Sequence, residues 1–139
     1  MKTILRILER AGGYRPTLYL KIENPPYMAL VIEATPEPGP TGLPAISIAH
    51  YGEQNGDLMR DPEMCFELAK PPLCGLTLSA YYYRNDYMGI EQWSRYIRDG
   101  QYAFHAMLHR EHERFAALWD KNLKAQRFLE AFTDKSIRG

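Results

Sequence analysis

The segment from His50 to Met64 brings together residue types that could do chemistry, with one histidine and four carboxylates inside fourteen residues. Such a set could bind a divalent metal ion or act as an acid/base pair. Its centre is Asn-Gly, the strongest short signal for a β-hairpin turn. We therefore interpret the segment as a charged hairpin tip and keep a metal-dependent hydrolase or nuclease as the alternative. The tip residues are Glu53, Asn55, Gly56, Asp57, Arg60 and Asp61.

Three histidines near the C-terminal third, His105, His109 and His112, follow helical spacing. At about 100° per residue they share one helical face, and histidines at i and i+4 can bind zinc. The His-Glu-x-x-His order of metalloproteases is absent. We predict that these side chains pack at the edge of the apolar face, and that the protein uses no metal and no other cofactor.

A third group interleaves aromatic residues with arginines. Such residues can stack single-stranded bases or anchor a protein interface. The chain has 17 Lys+Arg and 17 Asp+Glu, whereas nucleic-acid binders usually carry a basic excess. A protein interface is therefore favoured, with single-stranded nucleic-acid binding as the alternative. The candidate residues are Tyr81, Tyr83, Arg84, Tyr87, Trp93 and Arg95.

The elements that must position these groups follow from hydrophobic periodicity, which predicts an α+β fold. An antiparallel sheet of about five or six strands is expected, with a short N-terminal helix and a long C-terminal amphipathic helix packed on it. At 139 residues the chain fits a single domain, 1–139. Helices are predicted at 4–11 and 102–132, and strands at 18–23, 27–34, 45–51, 63–68 and 76–83. A sixth strand or a short irregular segment is expected at about 88–96. The apolar face of the long helix comprises Phe104, Leu108, Phe115, Leu118, Trp119, Leu123, Leu129 and Phe132.

The register of the central hairpin can be examined from the sequence. A two-residue turn at Asn55-Gly56 would pair Ile48 with Glu63 and place a carboxylate on the apolar face. An odd-length loop, or a bulge at Gly56, would return Ile48 and Met64 to the same face. We therefore expect a β-bulge, with Gly56 in the left-handed region.

Cysteine content and hydropathy indicate the compartment. Two cysteines, Cys65 and Cys74, do not form a disulfide framework, so both thiols are expected to be free. No apolar run approaches the roughly 20 residues that span a bilayer. The sequence predicts a cytoplasmic protein without membrane contact.

The hairpin motif, His50-Tyr-x-Glu-Gln-Asn-Gly-Asp-Leu-Met-Arg-Asp-Pro-Glu-Met64, resembles the signature of an uncharacterised bacterial domain family found on plasmids, integrative elements and prophages. The stretches Tyr83–Ile90 and Phe115–Gln126 are similar to the same family. That family often has glycine after the final Gln, where this chain has Arg127. No catalytic residues are assigned to it, so the resemblance implies context: an accessory protein of mobile DNA.

These observations together predict a non-enzymatic module that binds a host or defence-system protein on behalf of a mobile element. Inhibition of a CRISPR effector would be one form of this role, and genetic context alone suggests it. Zero net charge, aromatic-rich strands and the lack of a usable active site motivate the prediction.

Overall fold

The computed structural model describes residues 1–139 and confirms the α+β fold. Six strands form one antiparallel sheet in chain order, and two more form a separate two-stranded sheet. No helix has both the length and the apolar composition needed to cross a bilayer. The elements are α1 (Lys2–Arg10), β1 (Tyr19–Asn24), β2 (Tyr27–Ala34), β3 (Ala45–Gln54), β4 (Asp57–Ala69), β5 (Thr77–Asn85), β6 (Ile90–Trp93), β7 (Arg95–Arg98), β8 (Gln101–Phe104), α2 (Ala106–Ala125), α3 (Phe128–Ala131) and a 3₁₀ helix (Asp134–Ser136).

Side-chain alternation gives the large sheet two different faces. Helices α1, α2 and α3 cover one face and bury its apolar residues in a single core cluster. Across the first four strands, the row Leu20, Ile32, Ile48 and Met64 belongs to this core. The neighbouring row, Tyr19, Glu33, Ser47 and Cys65, lies on the opposite face, which no helix covers.

The β3–β4 connection is a two-residue turn at Asn55-Gly56. Asn55 and Gly56 have φ values of 52° and 84°, and Gln54 pairs with Asp57 across the turn. Both central residues of a type I′ turn require positive φ, and asparagine and glycine tolerate it best. The left-handed Gly56 is thereby confirmed.

The bulge that the sequence requires is present in this hairpin, but the prediction that it involves Gly56 is wrong. It lies at Asp61-Pro62, where two residues of β4 stand opposite His50 alone. The extra residue pairs Ile48 with Met64, so the apolar side chains of both strands reach the core.

A second bulge lies in β5 at Tyr81. Cys65 pairs with Tyr82, whereas the next residue of β4, Phe66, pairs with Ala80. The bulge interrupts the simple alternation expected for this strand, because Ala80 lies in the core while Tyr82 turns to the opposite face.

The segment after β5 departs from the sequence prediction in two ways. β5 continues beyond the expected 76–83 through Arg84 to Asn85, and the turn that follows begins at Asp86. The expected strand at 88–96 is split at Ser94 into β6 and β7, and β7 pairs with β8 rather than with the large sheet.

The expected helix at 102–132 is shorter and divided. Residues 101–104 form β8, and α2 begins after His105, whose Nδ1 accepts a hydrogen bond of 3.1 Å from the Leu108 backbone. Arg127 has φ 64° and ψ 39° and separates α2 from α3. A left-handed residue interrupts a right-handed helix, and glycine adopts this conformation at least cost.

The buried face of α2 differs in part from the predicted one. Trp119 and Leu123 are buried as expected, together with His112. Leu118 is 55% exposed, and Phe104, which lies in β8, is 54% exposed. Compared with the predicted orientation, α2 is rotated about its axis, so that His112 is buried and Leu118 is exposed.

Candidate protein-interaction surface

The acidic residues of the β3–β4 hairpin do not converge on one point. Glu53 and Asp57 are exposed at the tip. Asp61 accepts a hydrogen bond of 3.0 Å from the Asn85 side chain. Glu63 lies further along the uncovered sheet face, and no group of three His, Cys, Asp or Glu side chains is arranged to hold a metal ion. The hairpin geometry therefore lends no support to the hydrolase alternative.

Arg60 pairs with neighbouring acids, as expected for a structural hairpin. Its Nε lies 3.1 Å from Glu63, and its backbone N–H donates a 2.8 Å hydrogen bond to Asp86. Arg84 donates a 2.6 Å hydrogen bond to the other oxygen of Asp86 and lies 3.7 Å from Glu91. The Arg60 backbone N–H and the Arg84 guanidinium lower the pKa of Asp86. This network joins β4, the β5–β6 turn and β6.

His50 occupies the rim of the core, as its position in the strand predicts. The ring lies 5.6 Å from that of Trp119 and 5.5 Å from that of Phe128, and Nδ1 is 3.2 Å from the carbonyl oxygen of Ala29. Burial lowers its pKa. The contacts to both C-terminal helices explain a polar residue within this apolar region.

The three helical histidines have separate roles. His105 caps α2, and Nε2 of His109 lies 3.3 Å from Glu113. His112 is buried, and its Nδ1 lies 2.9 Å from the hydroxyl of Ser94. Burial is the main cause that lowers the pKa of His112 to about 4. His112 thus connects α2 to the junction between β6 and β7.

The structure divides the aromatic and arginine candidates into two groups. Tyr83 faces the core side and packs against Phe115, with ring centroids 5.1 Å apart. Arg95 is only 6% exposed. Both side chains therefore support the fold. Tyr81 and Arg84 are half-buried on the uncovered sheet side, while Tyr87 and Trp93 are exposed.

Arg95 attaches β7 to the large sheet through a buried ion pair. Its Nη1 and Nη2 each lie 2.6 Å from Oε1 of Glu67. The other carboxylate oxygen of Glu67 accepts hydrogen bonds from both the backbone and the hydroxyl of Thr41, and from the backbone of Leu43. A single buried carboxylate thus holds both the β7–β8 hairpin and the proline-rich loop at 35–44.

The β7–β8 hairpin and the end of β6 together carry a group of exposed apolar side chains, which we call the aromatic patch. Ile97 and Tyr102 face each other across the hairpin, and Phe104 follows on the same side of β8. Trp93 shares a surface groove with Ile97. The exposed fractions are 48% for Trp93, 55% for Ile97, 46% for Tyr102 and 54% for Phe104.

Of these four residues, only Trp93 is among the interaction residues predicted from the sequence. A local signal for the others exists: Asp99-Gly100 is a hairpin turn dipeptide, and its φ values are 52° and 78°. The aromatic residues from Tyr102 onward also continue the helical period of the segment that follows, and this period predicts helix from residue 102. In the structure, Asp99-Gly100 forms the turn, and residues 101–104 form β8 instead of helix.

The family described as "Domain of unknown function (DUF6908)" matches residues 2–129. The chain belongs to this family. Within the DUF6908 domain lie the large sheet, the charged hairpin, the aromatic patch and all of α2. No curated protein and no solved structure matches the chain.

The uncovered sheet face of the DUF6908 domain carries a second concavity, of about 540 Å³. Tyr19, Val31, Glu33 and Tyr51 line it among others. Burial, together with the charge of Glu63, raises the pKa of Glu33.

Both cysteines of the DUF6908 domain are free, as predicted. Cys74 is exposed in the loop before β5, whereas Cys65 is buried in β4. Burial raises the pKa of Cys65 to about 12, so its thiol stays protonated and is a poor nucleophile near neutral pH.

Proposed function

We propose that this protein is a non-enzymatic interaction module that binds another protein through the aromatic patch. The observation that carries the proposal is the exposure of Ile97, Tyr102 and Phe104 on one side of the β7–β8 hairpin, with the exposed Trp93 of β6 beside Ile97. Tryptophan and tyrosine are enriched where protein interfaces concentrate their binding energy. The chain has zero formal net charge, which favours a protein partner over nucleic acid.

Anchorage of the hairpin supports the proposal. The Arg95–Glu67 pair is buried, and the Ser94 hydroxyl contacts His112 of α2. Side chains presented on a rigid element lose less conformational entropy on binding than side chains on a mobile loop. The patch is therefore pre-organised for a partner.

The biological setting of the proposal comes from the resemblance to domains of plasmids, integrative elements and prophages. An accessory protein of mobile DNA benefits when it binds a host or defence-system protein. Inhibition of a CRISPR effector is one form that this function would take. The patch supports binding, and the resemblance supports the class of partner.

Affinity purification from the native host tests the proposal, with two variants of matched exposure. Ile97 in the patch and Leu118 on α2 are each 55% exposed. We expect the tagged wild-type protein and Leu118→Asp to retain one stoichiometric partner, and Ile97→Asp to lose it. Equal retention by both variants, or the absence of any stoichiometric partner, would contradict the proposal.

A further inference from the structure

The two edge strands of the large sheet, β1 and β6, differ in whether another part of the chain pairs with them. At the β1 edge, Ile137 forms a bridge with Leu20, and the backbone N–H of Arg138 donates a 2.8 Å hydrogen bond to Tyr19. The chain thus covers one edge with its own C-terminal residues. At the other edge, β6 pairs only with β5. Proteins usually protect such edges, since an unpaired strand can template another.

The alternation of backbone hydrogen bonds between β5 and β6 shows which backbone groups of β6 have no partner in the sheet. The backbone N–H of Ser94 donates a 2.9 Å hydrogen bond to Tyr81. Hydrogen-bonded and non-hydrogen-bonded pairs alternate along antiparallel strands, so Gln92 also directs its N–H and C=O groups toward β5. The N–H and C=O groups of Glu91 and Trp93 therefore point away from the sheet.

A groove of about 480 Å³ runs beside this edge. Three consecutive residues of β6 line one side of the groove. Because successive side chains of a strand point to opposite sheet faces, three in a row can line it only if the exposed edge of β6 forms that side. The opposite wall is mainly apolar. The lining residues are Glu91, Gln92 and Trp93 on the β6 side, and Tyr96, Ile97 and Leu108 on the other.

We propose that an extended segment of the partner protein enters this groove and pairs with β6 as a seventh strand of the sheet. The free N–H and C=O groups of Glu91 and Trp93 supply its backbone hydrogen bonds, and its alternate aliphatic side chains pack against Ile97 and Leu108. This is the general mode of β-strand addition, in which backbone pairing gives affinity and side-chain pockets give specificity. The inference rests on the proposed function and specifies how the partner is recognised.

The walled shape of the groove favours a single extended segment over a second copy of the chain. The β6 edge has β7 and the start of α2 beside it, as Ile97 and Leu108 show. A second copy would bring its own β7 and α2 walls to the same place, whereas a single extended strand is narrow enough to lie between them.

A pair of variants at one position isolates the backbone contribution. Glu91→Pro removes an outward N–H, and Glu91→Ala removes the same side chain but keeps that N–H. Proline is tolerated at a sheet edge when its missing N–H faces solvent. The probe is a phage-displayed library of random linear dodecapeptides, selected on the wild-type protein. Selected peptides are then measured by calorimetry on all three proteins, with circular dichroism as the check of folding.

We expect selected peptides with alternating aliphatic residues, whose affinity falls at least tenfold in Glu91→Pro relative to Glu91→Ala. Equal affinity for the two variants, or a library that yields no binding peptide, would overturn the inference. If Ile97→Asp abolishes capture of the native partner while Glu91→Pro retains it, the proposed function stands and strand addition fails.

Hydrogen exchange on the unmodified protein provides a test that does not depend on the proline variant. The amides of Glu91 and Trp93 should exchange rapidly in the free protein, while that of Gln92 is protected. Addition of a selected peptide should protect both fast amides. Protection that instead appears with rising protein concentration alone would identify a second copy as the occupant and overturn the proposal.

Discussion

Glu67 and Arg95 lie 28 residues apart in the sequence and form a buried ion pair, with Nη2 of Arg95 2.6 Å from the carboxylate. Their side chains are only 1% and 7% exposed. Removal of one partner leaves the other charge buried and unpaired, which costs more than the pair itself contributes. The relationship therefore makes a sharp prediction about stability.

Arg95→Met should lower the free energy of unfolding by about 3–5 kcal/mol, because Glu67 would keep its charge without its cation. The double variant Arg95→Met with Glu67→Gln should recover part of the loss. Arg98→Met, on the exposed end of the same strand, is the control and should change stability by less than about 0.5 kcal/mol. Urea denaturation at neutral pH measures all three. A double variant less stable than Arg95→Met alone would contradict the argument.

Gly39→Ala should destabilise the protein by roughly 1–3 kcal/mol, as overpacking of a filled site does. An added Cβ at Gly39 would overlap the side chain of Glu67, which is held by Thr41 and Leu43 and has little freedom to move. Gly75→Ala is the matched control, because its Cβ would meet nothing within 4 Å. Thermal unfolding of the two variants should separate them clearly, and equal melting temperatures would show that the loop adjusts freely.

Trp119→Ala should cost about 3–5 kcal/mol, as other large-to-small core substitutions do. Trp119 is 5% exposed and contacts the rings of His50 and Phe115. Lys121→Ala, on the solvated side of α2, should cost less than about 0.5 kcal/mol. Chemical denaturation provides the comparison. A similar cost at both positions would mean that the buried face of α2 is assigned incorrectly.

Stability should fall between about pH 6.5 and pH 4, in part because of His112. Burial lowers its pKa from 6.5 to about 4, so in this window the unfolded chain binds the proton more readily than the folded one. Stability is therefore fully present above pH 6.5 and is lost as the pH falls. His112→Gln should flatten this dependence in denaturation curves recorded from pH 7 to pH 4. An unchanged slope would mean that His112 is not the group responsible.

Gly56→Val should destabilise the fold by about 1 kcal/mol or more, because Gly56 has φ 84° and a β-branched residue is strained there. Asp57→Asn should be mild, since asparagine also suits turns. The measurement is a denaturation curve for each variant, combined with a divalent-metal titration. A folded Asp57→Asn protein that has lost a measurable affinity for a divalent ion would favour the hydrolase alternative over the structural hairpin.

Local patterns in the sequence were sufficient to predict most of the large sheet. The limits of β2 match the expected 27–34, and the Asn55-Gly56 turn and the need for a bulge both followed from side-chain alternation. Alternation and turn propensity depend on residues close in sequence, so they can be read without a structure. The same holds for Asp99-Gly100, although the helical period of the residues after it obscured that turn.

Tertiary structure alone decided where the bulge lies, which histidine is buried and which apolar side chains stay exposed. Residues 61 and 62 form the bulge opposite His50, whose ring packs against Trp119 and Phe128, both far away in the sequence. The local sequence suggests that Arg95 is exposed, and only the structure shows that it is buried beside Glu67. Burial is a property of the neighbours that packing supplies, and local periodicity specifies only the face on which a side chain lies.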